Sequence, residues 1–480
     1  MVIDYQKIGS INSLILNKAW DSVKIEYEVN KRVNFLLKNN IHAKDKVIIA
    51  HGGGPEFFAD LFSIWKIGAC AVCLNPKLTK SELENICNFI KPSAILISDT
   101  SQKYSIKEYQ FLDLSGLEDD MSELYEPIKI DDNSDALILF TSGTTGTPKG
   151  VVHTYISLKS RIKYNLKNIP ADDLQNSLCL LPMHFGHGLI GNCLTPLAAG
   201  KNLFISNGSD IKNISSLGSI IDTNKISFLS SVPSLWKLII KLSSRPKLKT
   251  LKRIHVGSAP LSKMLWNDIV DWSSINRVVN MYGITETANW ISGASSEDYE
   301  PVDGLVGKMW GGKAYVLDDN GNIILTGKGV ILLDIPSLMK GYYQLKDLTD
   351  MCIHEGLFNT GDIGTIDNEG TIIITGREKF EINRAGLKIN PEELDILIEK
   401  HVLVDEACAF SIKDDVFGEV PGVAVKINGS ITTAELKNWC MKKITVEKIP
   451  SKWFFVEEIP KNDRGKVDRL NIAEKCLERN

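Results

Sequence analysis

Short apolar runs alternate with amphipathic stretches from about residue 46 to residue 282. The apolar runs have the length of buried strands, and the stretches between them carry apolar residues at helical spacing. Repeated alternation of strand and helix favours a parallel sheet covered by helices. The predicted strands are KVIIAH, CAVCLN, AILISD, ALILF, SLCLL, NLFIS, SFLSS, RIHVG and RVVNMY, with helices in LTKSELENICNFI and PSLWKLIIKL.

The pattern changes after residue 300, where glycines punctuate β segments. Asp-Asn-Gly at 319–321 and Asn-Glu-Gly at 368–370 are typical of hairpin turns, so we expect an antiparallel β subdomain over about 300–376. The remainder carries its own strands and one helix: EACAFSI, GVAVKI, KWFFVE and TTAELKNWCMKKI. The sequence therefore predicts an α/β protein with a large N-terminal domain of layered sheets and helices, 1–376, and a small α+β domain, 377–480, divided at Gly376 to Lys379.

Composition excludes some classes of function but does not identify one. A chain of 480 residues is too long for one core, and a net charge of −4 gives no reason to expect nucleic acid or an anionic membrane as a partner. The first residues lack the pattern of a secretion signal and no uncharged apolar run has spanning length, so we expect a cytoplasmic protein. Of the nine cysteines, Cys70 and Cys73 lie in an apolar strand, which predicts buried thiols.

A loop of glycines and hydroxylated residues follows the apolar strand 136–140. Glycines allow several backbone N–H groups to converge on one anion, and Lys149 near the end of the loop supplies a positive charge. The spacing of Gly143 and Gly146 excludes a Walker A motif, and a Gly/Thr-rich surface turn is the alternative. The residues of the predicted phosphate cradle are Thr141, Ser142, Gly143, Thr144, Thr145, Gly146 and Lys149.

This loop resembles the signature loop of the adenylate-forming superfamily, which includes acyl-CoA synthetases, peptide-synthetase adenylation domains and firefly luciferase. The resemblance runs from about residue 45 to residue 470, with several motifs in family order. It implies that the loop holds the β and γ phosphates of ATP.

The segment NMYGITETANW follows the strand RVVNM. Taken alone, this segment predicts a turn that leads into a helix capped by Thr285. The resemblance implies that Tyr282 stacks on adenine, Thr285 meets the α-phosphate and Glu286 helps to hold Mg²⁺. Upstream, HVGSAPL resembles the adenine-side strand and turn of the family, which nominates Gly257, Ser258, Ala259 and Pro260.

Asp362 lies in LFNTGDIG, which we predict to be a polar loop between two β segments. An aspartate after glycine is usually a turn residue. The resemblance instead implies that Asp362 binds the ribose hydroxyls, that Arg377 assists it, and that Lys379 occupies the hinge between the domains.

Lys466 belongs to the basic run IPKNDRGKVDR at 459–469. Such a run near a C-terminus is most often a solvated tail. The resemblance implies that Lys466 reaches the active site and contacts both the carboxylate and the α-phosphate. A fixed ammonium group would offset the repulsion when these two anions meet.

The segment around Gly386 predicts a strand, a glycine turn and a helix that begins after Asn390 with Pro391 in its first turn. In the family this turn lines the thiol tunnel once the small domain has rotated. Luciferases carry a lysine where this chain has Asn383, and many CoA ligases carry asparagine, so the resemblance favours a CoA ligase.

The segment LPMHFGHGLIGN resembles the family's acyl pocket. His184 and His187 would line that pocket, and a metal site is the weaker alternative because no cysteine or carboxylate is near in sequence. Trp290 falls where the acyl group would run, and would either shorten the pocket or belong to the core.

Taken together, the resemblance implies that the chain converts ATP and a carboxylic acid to acyl-AMP and pyrophosphate, then transfers the acyl group to a thiol. CoA is the expected acceptor, and the phosphopantetheine of a carrier protein is the alternative. A non-catalytic nucleotide-binding protein with the same fold is the alternative of another class, although such a protein has no need of Lys466.

Overall fold

The computed structural model describes residues 2–97, 106–114, 117, 129–141, 149–206, 208, 210–385, 387–414, 416–462 and 465–478, with only the backbone at 141 and 388. Ser142, Gly143, Thr144, Thr145, Gly146 and Gly386 lie outside the described residues, as does the side chain of Thr141. Among the described helices, none combines the length and the apolar character needed to cross a bilayer.

All the strands predicted above are present as strands. In chain order the strands are β1 (Ile11–Ser13), β2 (Lys18–Trp20), β3 (Lys46–Ile49), β4 (Cys70–Cys73), β5 (Ala94–Ile97), β6 (Phe111–Asp113), β7 (Asp135–Thr141), β8 (Lys149–Thr154), β9 (Asn176–Cys179), β10 (Asn202–Ile205), β11 (Phe228–Ser231), β12 (Arg253–Gly257), β13 (Val278–Ile284), β14 (Asn289–Ser295), β15 (Leu305–Met309), β16 (Lys313–Leu317), β17 (Ile323–Ile324), β18 (Gly327–Asp334), β19 (Gly341–Tyr342), β20 (Ile353–His354), β21 (Leu357–Ile366), β22 (Ile372–Arg377), β23 (Ile382–Arg384), β24 (Leu387–Ile389), β25 (Val404–Asp414), β26 (Gly418–Ile427) and β27 (Lys452–Phe455).

The predicted helices are also present, and the structure adds one before residue 46. The α-helices are α1 (Ser22–Lys38), α2 (Pro55–Lys66), α3 (Lys80–Ile90), α4 (Tyr155–Asn168), α5 (Thr195–Ala198), α6 (Ile211–Ser215), α7 (Leu217–Thr223), α8 (Pro233–Leu242), α9 (Lys263–Ser273), α10 (Lys346–Met351), α11 (Pro391–Glu399), α12 (Thr433–Met441) and α13 (Arg469–Glu478). Capping residues fix several of their starts, as where the Thr79 side chain accepts from the Glu82 N–H and Glu82 bonds back.

Two sheets form the N-terminal domain. The first has the order β19-β8-β7-β4-β3-β5-β6, and its strands from β7 to β6 are parallel. The second contains the parallel run β10-β9-β11-β12-β13. The Cys70–Cys73 strand is buried throughout, as expected for a parallel sheet covered on both faces, and burial raises the pKa of both thiols.

The predicted antiparallel β segments continue the second sheet. β14 and β15 pair antiparallel to each other, and β15 pairs with β22. The turns at 319–321 and 368–370 join β16 to β17 and β21 to β22, as predicted. Between the two sheets, α2 contributes Phe58 and Trp65 to a buried cluster with Leu137 of the first sheet and Leu203 of the second. This core holds the two sheets in a fixed relation.

The last hundred residues form a separate sheet with its own helices. β25 and β26 form its long antiparallel pair, and α11 and α13 pack on β25. As predicted, α11 begins after Asn390, whose side chain accepts from the Glu392 N–H, with Pro391 in the first turn. The Asn390 side chain also donates to the Thr375 carbonyl, which ties this domain to β22.

Two local predictions were wrong. Asp362 lies inside strand β21 and not in a loop, where it faces Arg377 of β22. Thr285 does not cap a helix, because Thr285–Thr287 is a single 3₁₀ turn that leads directly into β14. Both segments are rich in glycine, threonine and asparagine, so they lack the alternation of apolar and polar residues that marks a strand. Their strands are stabilised by backbone pairing with neighbouring strands instead.

Candidate active site

A cavity of 750 Å³ lies where the parallel strands of both sheets end. Residues just after β3, β4, β9, β11 and β12 line it, so it occupies the carboxyl edge of both sheets. Ligands of open α/β sheets bind at this edge. The C-terminal domain closes the other side with Asp405, Glu406, Lys426, Lys461, Asn462, Gly465 and Lys466.

A tight turn delivers Lys466 to this cavity. Lys461 and Val467 form an antiparallel bridge, and the backbone N–H of Asn462 donates to the Lys466 carbonyl at 2.9 Å. Gly465 has a φ of +71°, and a Cβ there would lie 2.7 Å from Ser234 Oγ of α8. Glycine at this position therefore serves both the turn and the close approach of the two domains.

Tyr282, Asp362 and Arg377, which the sequence predicts to bind ATP, lie together in the structure. The Tyr282 hydroxyl donates to Asp362 Oδ2 at 2.6 Å, and Arg377 Nε donates to Asp362 Oδ1 at 2.7 Å. The Asp362 side chain is only 4% exposed, and its charge raises the pKa of Arg377. Burial, and then Asp362, hold the pKa of Tyr282 well above its usual range.

Open space lies beside Asp362, at Gly361. A Cβ on Gly361, whose φ is +66°, would meet no atom within 4 Å. The carboxylate of Asp362 has two oxygens with several acceptor sites, so it can take ribose hydroxyls beside its two protein donors. The role of these residues toward ATP stays a prediction.

Glu286 lies in a second polar cluster next to Thr285. The Tyr342 hydroxyl donates to Glu286 Oε1 at 2.8 Å, and the Glu286 carbonyl accepts from the Met339 N–H at 2.7 Å. Mg²⁺ is usually held by one or two carboxylates together with substrate phosphates. A single placed carboxylate fits that mode, and among the described residues no group of three or more histidines, cysteines and carboxylates is placed to hold a metal by itself.

Lys149 begins β8, directly after the predicted phosphate loop, and pairs with position 141 in the ladder. Its charge lies near enough to act on two neighbours. Burial, then Arg377, then Lys149 lower the pKa of Lys379. Burial raises the pKa of Cys352, and the positive charge of Lys149 acts against that increase. Cys352 also interacts with Tyr342. Lys149, Lys379 and the Glu286 cluster therefore lie near one another.

His187 is clamped in the cavity wall by two serines. Its Nδ1 is 2.8 Å from Ser258 Oγ, and its Nε2 is 2.7 Å from Ser230 Oγ. Burial, and then the charge of Lys466, lower the pKa of His187 to about 3. The ring is therefore neutral at physiological pH, with one nitrogen donating and the other accepting.

The other predicted acyl-side residues are spread along this wall. His184 lines the cavity, and its ring centroid lies 4.1 Å from that of Phe185. Trp290 is buried behind the wall, with its ring centroid 5.5 Å from that of His187. Asn383 lies on β23 of the C-terminal domain, where its N–H donates to Glu419.

The four residues predicted for the adenine side lie on one turn of the structure. Gly257 ends β12, and Ser258 has a φ of +69°. Ala259 is partly buried and Pro260 is exposed. Only Ser258 of the four lines the cavity, through its contact with His187.

Three contacts were not predicted from the sequence. Ser230 binds His187, Tyr342 binds Glu286, and His153 Nε2 donates to the Thr285 carbonyl at 2.9 Å. The partners in each pair are between 43 and 132 residues apart in the chain. No local spacing signals such contacts.

Acidification is expected to destabilise the fold through its buried histidines. Burial lowers the pKa of His153 to about 4, against about 6.5 in an unfolded chain. Below about pH 6.5 the unfolded chain binds protons that the folded chain does not, so the free energy of unfolding falls by about 1.4 kcal/mol per pH unit for each such histidine. The loss continues until the pH reaches the folded pKa.

Urea unfolding of wild type and His153→Gln at about pH 7 and about pH 5 measures this effect. Glutamine keeps a donor for Thr285 but does not titrate, so the variant should lose less stability between the two pH values. His42→Gln, at an exposed position, is the control and should behave as wild type. Equal pH sensitivity of His153→Gln and wild type would contradict the assignment.

Comparison with known proteins places this geometry in a family. Residues 24–343 match the AMP-binding enzyme family, and residues 393–466 match the AMP-binding enzyme C-terminal domain. The chain is 27% identical over 433 residues to the 2-succinylbenzoate–CoA ligase of Listeria monocytogenes, covering 90% of this chain and 89% of that protein. It is 31% identical over 345 residues to the oxalate–CoA ligase of Saccharomyces cerevisiae, covering 71% of this chain and 63% of that protein.

Solved structures show the same fold. ATP-bound MatB from Rhodopseudomonas palustris superposes with a TM-score of 0.88 at 22% identity, covering 97% of this chain and 95% of that one. The O-succinylbenzoate CoA synthetase of Bacillus subtilis, in complex with ATP and magnesium ion, gives a TM-score of 0.83 at 23% identity and covers 95% of each chain. The predicted membership is confirmed: the chain belongs to the AMP-binding enzyme family of the adenylate-forming superfamily.

Proposed function

We propose that this enzyme joins a carboxylic acid to CoA in two half-reactions. The carboxylate oxygen attacks the α-phosphorus of ATP, and pyrophosphate leaves. The CoA sulfur then attacks the acyl carbon, AMP leaves, and the thiol proton is released. The observation that carries this proposal is the placement of Lys466 in the cavity that Thr285 also lines, close enough to His187 to depress the pKa of that ring.

The residues of the candidate active site support distinct roles in the first half-reaction. Lys466 would offset the repulsion between the carboxylate and the α-phosphate, which is the term that preorganised cations supply. Asp362 would hold the ribose, and Tyr282, fixed by its bond to Asp362, would present its ring to adenine. Mg²⁺, held through Glu286, would neutralise phosphate charge when bound.

The second half-reaction needs a different face of the small domain. Lys466 lines the cavity in this structure, while Asn383 lies on strand β23 of the same domain. We propose that residues 377–480 rotate about the segment from Gly376 to Lys379, so that the strand carrying Asn383 replaces Lys466 for thiol transfer. Gly376 is restricted there, because a Cβ would lie 1.9 Å from the Asn390 amide.

Ion pairs across the two domains stabilise the observed arrangement. Lys237 of α8 and Glu399 of α11 are 2.8 Å apart, and Lys400 and Asp303 are 2.7 Å apart. We expect Lys237→Glu to slow adenylation by about twofold to tenfold, in line with the modest energies of exposed pairs. Thioester formation from supplied acyl-AMP should not slow, because it uses the other arrangement.

Exchanging the charges of Lys237 and Glu399 tests this ion pair by a double-mutant cycle. Lys237→Glu combined with Glu399→Lys should restore most of the adenylation rate. The exposed Lys212 of α6 gives a charge-matched control, Lys212→Glu, which should leave both half-reactions unchanged. Additive losses in the double variant would show that the two residues do not couple across the domains.

Pyrophosphate release tests the proposed function directly. Wild-type enzyme with ATP and Mg²⁺ is assayed across aliphatic, dicarboxylic, aryl and amino acids, each with and without CoA. Acid-dependent release that turns over only with CoA is the expected result. Release that stalls near one equivalent with CoA present would point to another acceptor thiol, and no release with any acid would contradict the proposal.

A further inference from the structure

Asn289 occupies an unusual backbone conformation in the cavity wall. It is the first residue of β14, its φ is +118°, and it is 5% exposed. Non-glycine residues rarely adopt positive φ, and strained residues of this kind cluster at functional sites. The Thr287 hydroxyl donates to the Asn289 carbonyl at 2.9 Å, which fixes the strained backbone.

The side-chain amide of Asn289 has no hydrogen-bond partner in the described part of the chain. Its Nδ2 atom is buried and unpaired, although Asn289 lines the cavity. Nδ2 lies so close to Gly191 that a Cβ on that glycine would be 2.0 Å away. Buried donors are almost always paired in native proteins, so an unpaired one at a ligand cavity calls for a partner from outside the chain.

The groups in direct contact with this amide are uncharged. Trp290 follows Asn289 in the strand, Ile284 pairs with it across the ladder, and Gly191 contacts it. His187, whose ring packs against Trp290, is bonded to Ser258, and burial keeps the His187 ring neutral. Lys466, the cation whose charge reaches His187, is assigned in the proposed reaction to the reacting carboxylate and the α-phosphate. A second carboxylate at the Asn289 amide would therefore lack a counter-ion of its own, which is costly, whereas a neutral oxygen would need only the one donor.

Resting on the proposed ligase activity, we infer that Asn289 is a specificity-determining residue that donates a hydrogen bond to an uncharged oxygen on the acyl chain of the substrate, such as a ketone or an ether. The acid that this enzyme activates therefore carries a neutral acceptor and not a plain hydrocarbon tail. The wall residues Gly191 and Asn289 act as one unit, because only glycine leaves room for the amide.

Matched pairs of acids test the inference. Each pair has the same shape and differs at one chain position, where one acid has a ketone or ether oxygen and the other a methylene group; a dicarboxylic acid of equal length completes each set. The value of kcat/KM for pyrophosphate release is measured for wild type, Asn289→Gly and Asn289→Asp. Both replacements tolerate positive φ, and the aspartate keeps the shape while replacing the donor by an acceptor.

Wild type should prefer one acceptor-bearing acid over its methylene partner by roughly tenfold to a hundredfold, the effect of leaving a buried donor unpaired. Both variants should lose this preference, so that within each variant the values of kcat/KM for the acceptor-bearing acid and its methylene partner become similar. The acid-induced shift in thermal midpoint, measured without ATP, should show the same ranking in binding alone.

Three results would overturn the inference. The first is a wild type that is no more active with any acceptor-bearing acid than with its methylene partner, and the second is a preference that persists in both variants. A preference for the dicarboxylic acid that disappears in the variants would assign the amide to a charged group. These outcomes differ from failure of the proposed function, in which wild type releases no pyrophosphate with any acid of the panel.

Discussion

Replacing Lys466 by alanine is expected to slow acyl-adenylate formation by a factor of roughly 100 to 1,000, the usual effect of removing one preorganised group that stabilises the transition state. The turn between Lys461 and Val467 places this ammonium group in the cavity, where it acts on His187. Pyrophosphate release under single-turnover conditions measures the loss. Thioester formation from supplied acyl-AMP and CoA should remain within about twofold of wild type, because Lys466 leaves the cavity for that step.

Two further variants separate charge from structure. Lys466→Arg keeps a cation and should retain part of the adenylation rate, although the guanidinium group is larger and planar. Lys461→Ala removes a lysine on the other side of the same turn, where Lys461 pairs with Glu406 at 2.6 Å, and should affect adenylation far less. An equal loss in both half-reactions of Lys466→Ala would contradict the proposed alternation of the small domain.

Replacing Asp362 by alanine is expected to raise the KM for ATP by roughly tenfold to a hundredfold. Two effects combine, because the ribose loses a charged acceptor and the buried Tyr282 hydroxyl loses its partner; a hydrogen bond to a charged group contributes about 1.5 to 3 kcal/mol. Asp362→Asn keeps the shape and one acceptor, so its KM should lie between those of wild type and the alanine variant. Steady-state pyrophosphate release at varied ATP gives these values.

Loss of stability must be distinguished from loss of binding in this test. Thermal midpoints of the Asp362 variants, with and without ATP, show whether the variants fold and whether ATP still stabilises them. Asp334→Asn, at an exposed position on the adjacent strand β18, is the matched control and should keep the wild-type KM. An unchanged KM for ATP in Asp362→Ala would remove the ribose assignment.

The strands and helices could be predicted because their signals are local. Apolar runs such as KVIIAH and the N-cap at Asn390 carry the information within a few residues. The segment before residue 46 was not predicted, although β1, β2 and α1 lie there; β1 and β2 are short, and they are stabilised by pairing of β1 with the distant β10. Asp362 was placed in a loop for a related reason, since Gly361 and Thr360 resemble turn residues.

The candidate site likewise contains residues that the sequence predicts and contacts that it does not. Motifs located Tyr282, Asp362 and Lys466, because the resemblance attaches roles to residues in family order. The supporting contacts depend on the assembled sheets: Ser230 and Ser258 reach His187 only because β11 and β12 lie side by side in the second sheet. The strain at Asn289 is equally invisible in the sequence, since nothing in TETANW specifies a positive φ.

The charge of Lys466 acts on the His187 ring across the boundary between the domains, so the electrostatic environment of that ring depends on where the small domain lies. Lys466 belongs to the small domain and His187 to the large one, and the lysine charge is part of what depresses the pKa of the histidine. In the proposed rotation of the small domain, the ammonium group would leave the ring, while the burial that is the larger cause of the low pKa would remain. The chemical shifts of the His187 ring, followed by NMR at neutral pH as ATP and CoA are added, would then report which arrangement the enzyme occupies, without turnover.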